Sequence, residues 1–425
     1  MHPVQTNAES RGRLNVRATD SRLCSMKLVS ATRGALTLAV LSTLLVVAAR
    51  PALAQSYEVL YSFGGYAGDA DGPIAGLVVD KEGNLYGTTL FGGAYNLGAV
   101  FEATATGTEK VLYSFCAKRN CADGSSPYAG LALDKKGNLY GTTYIGGAYN
   151  GGTVFEITTA GTEKVLHSFG SQPDGNGPYA GLVIDEEGNL YGTTVFGGAY
   201  YYGTVFEITS DGAEKVLYSF CSQPNCADGF YPYAGLVFDK KGNLYGTTSD
   251  KYDGYRSGYG TVFEITAAGT ENLVYSFGGR GDGTNPYAGL LVFDKRGRLY
   301  GTTPFGGAYS SGTVFEITLA GKKAATEKVV YSFGGRGDGT YPYGGVAIDK
   351  DGNLWGTTSM GDPNSPCCFG TVFEMTSGGT EEWSFGMGEF GYGSTPYAGM
   401  VFNKEGDLFG TTFGGGDGTV FEVIP

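Results

Sequence analysis

Histidine is almost missing from this sequence: His2 and His167 are the only two among 425 residues. A chain so poor in imidazole has little means of building a Ser-His-Asp triad or a histidine-rich zinc centre. Tryptophan and methionine are scarce too, at 2 and 6 residues. Past residue 54 no stretch repeats apolar residues every 3.6 positions, which excludes a helical or α/β organisation. Positive charge is short, with 29 Lys and Arg against 42 Asp and Glu and a net charge of −13. Nucleic acid and anionic lipid are therefore excluded as partners. The only long apolar run, Ala35 to Ala49, is short and near the N-terminus, more a signal than a membrane span.

That run follows basic Arg22, Lys27 and Arg33 and precedes the small residues Ala52-Leu53-Ala54, so residues 1–54 read as an export signal and 55–425 as the mature domain. Met26-Lys27 would serve equally well as the start of such a signal. The signal carries seven basic and two acidic residues, so its removal takes the charge from −13 to −18. No membrane span is expected after removal, and the mature chain is expected to be a secreted monomer, extracellular or periplasmic.

What the sequence has in abundance is glycine, 74 residues, and aromatics, 14%. Both follow a repeat. Four blocks, of the types AGLALD, NLYGTT, GTVFEIT and EKVLHSF, recur seven times in fixed order, and the phenylalanines closing the last block are Phe63, Phe115, Phe169, Phe220, Phe277, Phe333 and Phe385. Each block is a short β-branched and aromatic run bounded by Gly, Asn and Asp, hence a strand. Four strands, a to d, repeated seven times without helices, predict an all-β, seven-bladed β-propeller with four-stranded blades. The mature sequence opens with a lone strand d, Tyr57 to Phe63, and closes after strands a, b and c with GTVFEVIP. The N-terminal strand is expected to complete the last blade and remove its open edge.

Cysteine is also sparse but ordered. With Cys24 in the signal, six remain: Cys116 and Cys121, Cys221 and Cys226, and the adjacent Cys367 and Cys368. An even number in an exported chain reads as disulfides, Cys116 to Cys121 and Cys221 to Cys226. Cys367 and Cys368 are left to bond each other, stay free or link to another chain, a vicinal disulfide being preferred.

The YSF, AGL, GNLYGTT and GTVFE blocks, spanning Tyr57 to Pro425, resemble the GloVer (Gloeo/Verruco) repeat of extracellular "choice-of-anchor" bacterial proteins and, more distantly, NHL-like propellers. The resemblance implies export and a propeller, and attaches no reaction to any residue.

Strands a and c run one way and b and d the other, so the d to a and b to c connections share a face, and they vary most in length and composition. That face is the candidate site. Tyr128, Tyr179, Tyr233, Tyr287, Tyr343 and Tyr397, with Ile74 in the first unit, enter the innermost strand and are expected to ring the channel mouth. Just upstream stand Asp71, Asp123, Asp174, Asp228, Asp282 and Asp338, each before a glycine; turn chemistry accounts for them, or with the tyrosines they make an aromatic and carboxylate mouth. The longest b to c insertion adds Tyr252, Tyr255, Arg256 and Tyr259 as candidate ligand contacts. The strand-c glutamates, such as Glu156, and the threonine pairs, such as Thr142-Thr143, recur in every unit and are read as hydrogen-bond partners between blades. No catalytic residue, metal ligand or cofactor is assigned; Asp69-x-Asp71-Gly72 offers only the opening of a calcium loop. The expected function is a secreted, non-catalytic binding or scaffold protein for a glycan, an extracellular protein or another surface component. The alternatives are a carboxylate-dependent carbohydrate lyase or hydrolase and a purely structural surface protein.

Overall fold

The structure, a computed structural model, describes residues 56–425 except 171, 250–258, 280, 288, 320–324, 336–337, 362–368 and 388–392. The signal segment, Tyr252, Tyr255, Arg256, Cys367 and Cys368 lie outside the described residues. Seven four-stranded antiparallel sheets are present, each ordered a-b-c-d. In blade 2 these are Ala132–Leu133, Leu139–Thr143, Thr153–Ile157 and Glu163–Ser168. The last blade takes Val401–Phe402, Leu408–Thr412 and Thr419–Ile424 from the C-terminal end and Ser56–Ser62 from the N-terminal end, paired from Ser56↔Ile424 to Ser62↔Thr419. The ring is closed as the block order predicts. Among the described residues no helix is long and apolar enough to cross a membrane.

The turns explain why the strands are so short. Asp134 Oδ1 accepts from the backbone of Lys136 and Asn138, and Gly137 takes φ +92°. The Asn138 amide completes the turn, donating to Asp134 Oδ2 at 3.0 Å. The c to d hairpin closes on its own backbone, Thr158 N donating to Thr162 O, and is tied to the a to b turn by Thr159 N donating to Asn138 Oδ1 at 3.2 Å.

Packing between blades rests on two phenylalanines per unit. Phe155 of strand c is fully buried and meets Phe115, the last residue of the preceding blade's YSF block, edge-on at 5.0 Å. The same contact recurs at Phe63/Phe101, Phe169/Phe206, Phe220/Phe263, Phe277/Phe315 and Phe333/Phe373. Burying each ring contributes about 1.5–3 kcal/mol. At the seventh junction Tyr57 stands between Phe385, at 4.8 Å, and Phe421, at 5.1 Å, stacked on both. Room for the strand-c ring comes from the glycine of LYGTT: a Cβ on Gly141 would lie 2.6 Å from Phe155 Cζ.

The threonine pairs divide their work. Thr142 donates across the junction to Ala180 O at 3.1 Å, whereas Thr143 shares a 2.8 Å bond with Thr153 inside its own blade. The strand-c glutamates differ from expectation. They bond within the blade, as Tyr140 Oη donates to Glu156 Oε1 at 3.2 Å, because Tyr140 and Glu156 are opposite each other in the b-c ladder.

Deleting Tyr57 to Phe63 should leave strand Thr419–Ile424 as a bare edge; urea unfolding is expected to lose cooperativity, with aggregation visible by light scattering. Gly141→Ala should lower stability by roughly 1–3 kcal/mol through overpacking against Phe155, read as a shift of the urea midpoint.

Candidate binding face

Within a blade the d to a and b to c connections are hydrogen-bonded to each other, through short pairs such as Ala70↔Gly92, Gly175↔Gly197 and Gly283↔Gly306. They share one face, as their alternating direction requires. Both CxxxxC loops lie in these connections, closed by disulfides Cys116–Cys121 and Cys221–Cys226. Cys116, Cys121, Cys221 and Cys226 all take positive φ, so each loop folds back tightly on itself.

At the axis the six tyrosines come together. Tyr128 stacks on Tyr179 at 4.7 Å and Tyr233 on Tyr287 at 4.4 Å; Tyr179 reaches past its neighbour to meet Tyr287 edge-on at 6.2 Å. Tyr343 and Tyr397 continue the ring at 5.6 Å, and Phe413 follows Tyr397 at 5.9 Å. These side chains, with Ile74, line one end of an axial cavity of about 890 Å³, whose remaining wall is strand a and the residues leading into it, including Leu77, Leu131, Leu182 and Val346. Strand a is held in place from the neighbouring blade: Thr88 donates to Ala129 O, Thr142 to Ala180 O and Thr357 to Ala398 O, each acceptor directly following a ring tyrosine. Burial raises the hydroxyl pKa of Tyr179, Tyr287 and Tyr343, which keeps them neutral at physiological pH. Among the described residues none lining the cavity is charged.

The aspartates are elsewhere. Asp123 accepts from Tyr113 Oη at 2.8 Å and from the backbone of Ala117 and Lys118. Asp228 does the same with Tyr218, Ser222 and Gln223, and Asp282 with Tyr275, Gly278 and Gly279. Tyr331 donates to Asp338, and His167 stands 3.1 Å from Asp174. Since Tyr113 and its counterparts belong to strand d, these carboxylates brace the outer part of each blade. In the first unit the equivalent residue is Asp69, bonded to Tyr61 and to the backbone of Gly65 and Ala70, and not Asp71, which its following glycine had suggested.

A third member of each set was not visible in the sequence: the glutamate opening strand d of the next blade. Burial pushes Glu109, Glu271 and Glu327 up to about 7, with repulsion from Asp69, Asp228 and Asp282 adding to it. One oxygen of each, Oε1, is buried with no hydrogen-bond partner. Sequence reasoning also passed over Tyr95, Tyr149, Tyr200 and Tyr309, the last residue of each FGGAY-type block, which stand exposed on the b to c loops. Tyr201 and Tyr259 are exposed beside them. Their flanking glycine pairs, which leave an aromatic no core to enter, were the available signal.

The Gloeobacter/Verrucomicrobia repeat model matches residues 46–256 and 250–425. Against the curated proteins the chain finds no match. Among solved structures it is similar to selenomethionine-substituted virginiamycin B lyase from Staphylococcus aureus, at 14% identity over 87% of this chain and 99% of that one, TM-score 0.56. It also matches a gluconolactonase from Xanthomonas campestris, at 15% identity over 85% and 99% of the two chains, TM-score 0.46. At such identity the lyase likeness shows the propeller fold alone.

The raised glutamates give stability a pH dependence. A carboxyl whose folded pKa lies near 7, above its value near 4.5 in the unfolded chain, contributes stability that is complete below 4.5 and is lost as pH rises through 7. The melting temperature should therefore fall between pH 5 and 8. In the triple variant Glu109→Gln, Glu271→Gln, Glu327→Gln that fall should shrink, with the gain confined to the alkaline side.

Proposed function

The chain belongs to the Gloeobacter/Verrucomicrobia repeat family, and from that scaffold we propose a secreted, non-catalytic binding protein that takes a neutral glycan on the loop face. The observation that carries the reading is the axial cavity: aromatic at its mouth, without charged lining, and surrounded by exposed tyrosines on the b to c loops. Sugars lay their apolar faces on aromatic rings, and neutral tyrosine hydroxyls can donate to or accept from sugar hydroxyls. The net charge of −13 disfavours an anionic ligand. Carboxylate catalysis would need an acid and a base near the bound sugar, and the aspartates of this face spend their oxygens on strand d and loop backbone. Two disulfides on the same face fit an oxidising compartment.

Binding to a neutral-glycan array, with turnover of the same polysaccharides followed in parallel, tests this. Tyr343→Ala with Tyr397→Ala should weaken binding roughly 10-fold or more, the loss expected for removing about 1.4 kcal/mol of ring contact. Tyr95→Ala, Tyr149→Ala and Tyr309→Ala should weaken it while leaving stability within about 0.5 kcal/mol. Unchanged binding in both sets, or chain cleavage by the wild-type protein, would overturn the reading.

A further inference from the structure

Three positions meet at six of the seven blade junctions: the residue two before the last phenylalanine of strand d, the aspartate of the loop that follows, and the glutamate opening strand d of the next blade. At five of them the first position is a tyrosine, Tyr61, Tyr113, Tyr218, Tyr275 or Tyr331, and its hydroxyl donates to the aspartate. A phenol neutral at physiological pH makes that hydrogen bond well and ligates a metal poorly. The third junction has His167.

Replacing the phenol with an imidazole changes what the junction can do. His167, Asp174 and Glu214 each place a ligand atom within 4.8 Å of the other two, and they are the one such group of His, Cys, Asp and Glu among the described residues. His167 Nε2 and Asp174 Oδ2 are 3.1 Å apart, close to the separation of two donors sharing an ion with bonds of about 2.0–2.2 Å. Asp174 is fixed by the backbone N–H groups of Gly170 and Gly175, which donate to its two oxygens at 3.0 and 2.7 Å. Glu214 Oε1 is buried without a hydrogen-bond partner. That orphan oxygen recurs at Glu109, Glu163, Glu271 and Glu327, but only at Glu214 is an imidazole beside it. Access is provided as well: Asp174 lines a second cavity of about 700 Å³ on the loop face, together with Gln172, Asn176 and Tyr201.

We propose that His167, Asp174 and Glu214 form a binding site for one divalent transition-metal ion of the zinc class, with its fourth position open to water from that cavity. Two carboxylates and a neutral imidazole carry two negative charges, matching a doubly charged ion, and one nitrogen with two oxygens is a donor set zinc accepts. The histidine deficit that argues against a conventional zinc centre is met here by carboxylates the repeat already supplies. Glycan binding at the axis does not depend on this site.

The repeat supplies its own control. His167→Tyr restores the residue found at five equivalent junctions, so the variant is expected to fold. The chelator-treated protein should bind one equivalent of Zn²⁺ by calorimetry and show a zinc-dependent rise in melting temperature. His167→Tyr should keep the metal-free melting temperature or exceed it, lose that rise, and bind Zn²⁺ more weakly by at least the roughly 10- to 100-fold that losing even an outer-shell partner costs. No stoichiometric zinc binding by the wild type, equal binding by His167→Tyr, or binding of Ca²⁺ in preference to Zn²⁺ would overturn the assignment.

Discussion

One hydrogen bond, made at all seven junctions, places everything at the axis: the first threonine of each strand-b pair donates to a carbonyl of strand a in the adjacent blade. The acceptors are Ala129, Ala180, Ala234, Pro286, Gly344, Ala398 and, across the closing seam, Ala75. Each is buried, so making it is worth about 1 kcal/mol, while leaving it unmade would cost about 1–3 kcal/mol. Each acceptor is a ring tyrosine's immediate neighbour in sequence, or in the first unit the neighbour of Ile74. The bond that docks one blade on the next thus sets the height at which each aromatic enters the channel. No blade presents more than one of the six tyrosines, so the cluster exists only as a property of the ring.

Acidity and surface chemistry are separated by the same architecture. An acidic composition with Asp-Gly pairs upstream of every ring tyrosine but one suggests a carboxylate-lined mouth. The structure instead stores those carboxylates between blades, where Asp123, Asp228 and Asp338 are buried and meet the glutamates of the next strand d. The cost is a set of glutamates held near neutrality against their usual ionisation. The return is a set of loops pinned by charged acceptors beneath a cavity that carries no charge.

Blade number, strand order and closure were legible because each depends on local signals in fixed order: β-branched and aromatic runs, their Gly, Asn and Asp boundaries and an orphan strand d. Convergence of the tyrosines was legible for a related reason, since a residue entering the innermost strand must approach the axis. The acid clusters were not. Tyr113, Asp123 and Glu163 come from two blades and three blocks, and no spacing within one block brings them together. In the first unit Asp69 carries the role although it lacks the following glycine, so the motif pointed two residues away. His167 looked badly placed because strand d is outermost; its partners come from the following loop and the neighbouring blade.

The seventh junction differs from the other six at all three of these positions. Phe385, paired with Val372 as Tyr113 is with Val100, stands where the tyrosine would be, the sequence has Tyr392 five residues before Tyr397 where the aspartate would be, and Tyr57, stacked between Phe385 and Phe421, stands where Glu109 and its counterparts open strand d. It lies between the sixth and seventh blades, docked by Thr357 on Ala398, and Tyr57 of the first strand joins it to the far end of the described chain. Contacts so distant along the chain carry the largest loop-closure entropy and form late. While the chain is being made, strand Ser56–Ser62 waits for a partner synthesised six blades later. Ring completion therefore joins two unlike seams: the aromatic one at Tyr57 engages with no buried acid pair to settle, whereas the one where Thr411 docks on Ala75 brings Glu109 beside Asp69 and so takes on the pH of the compartment in which it forms.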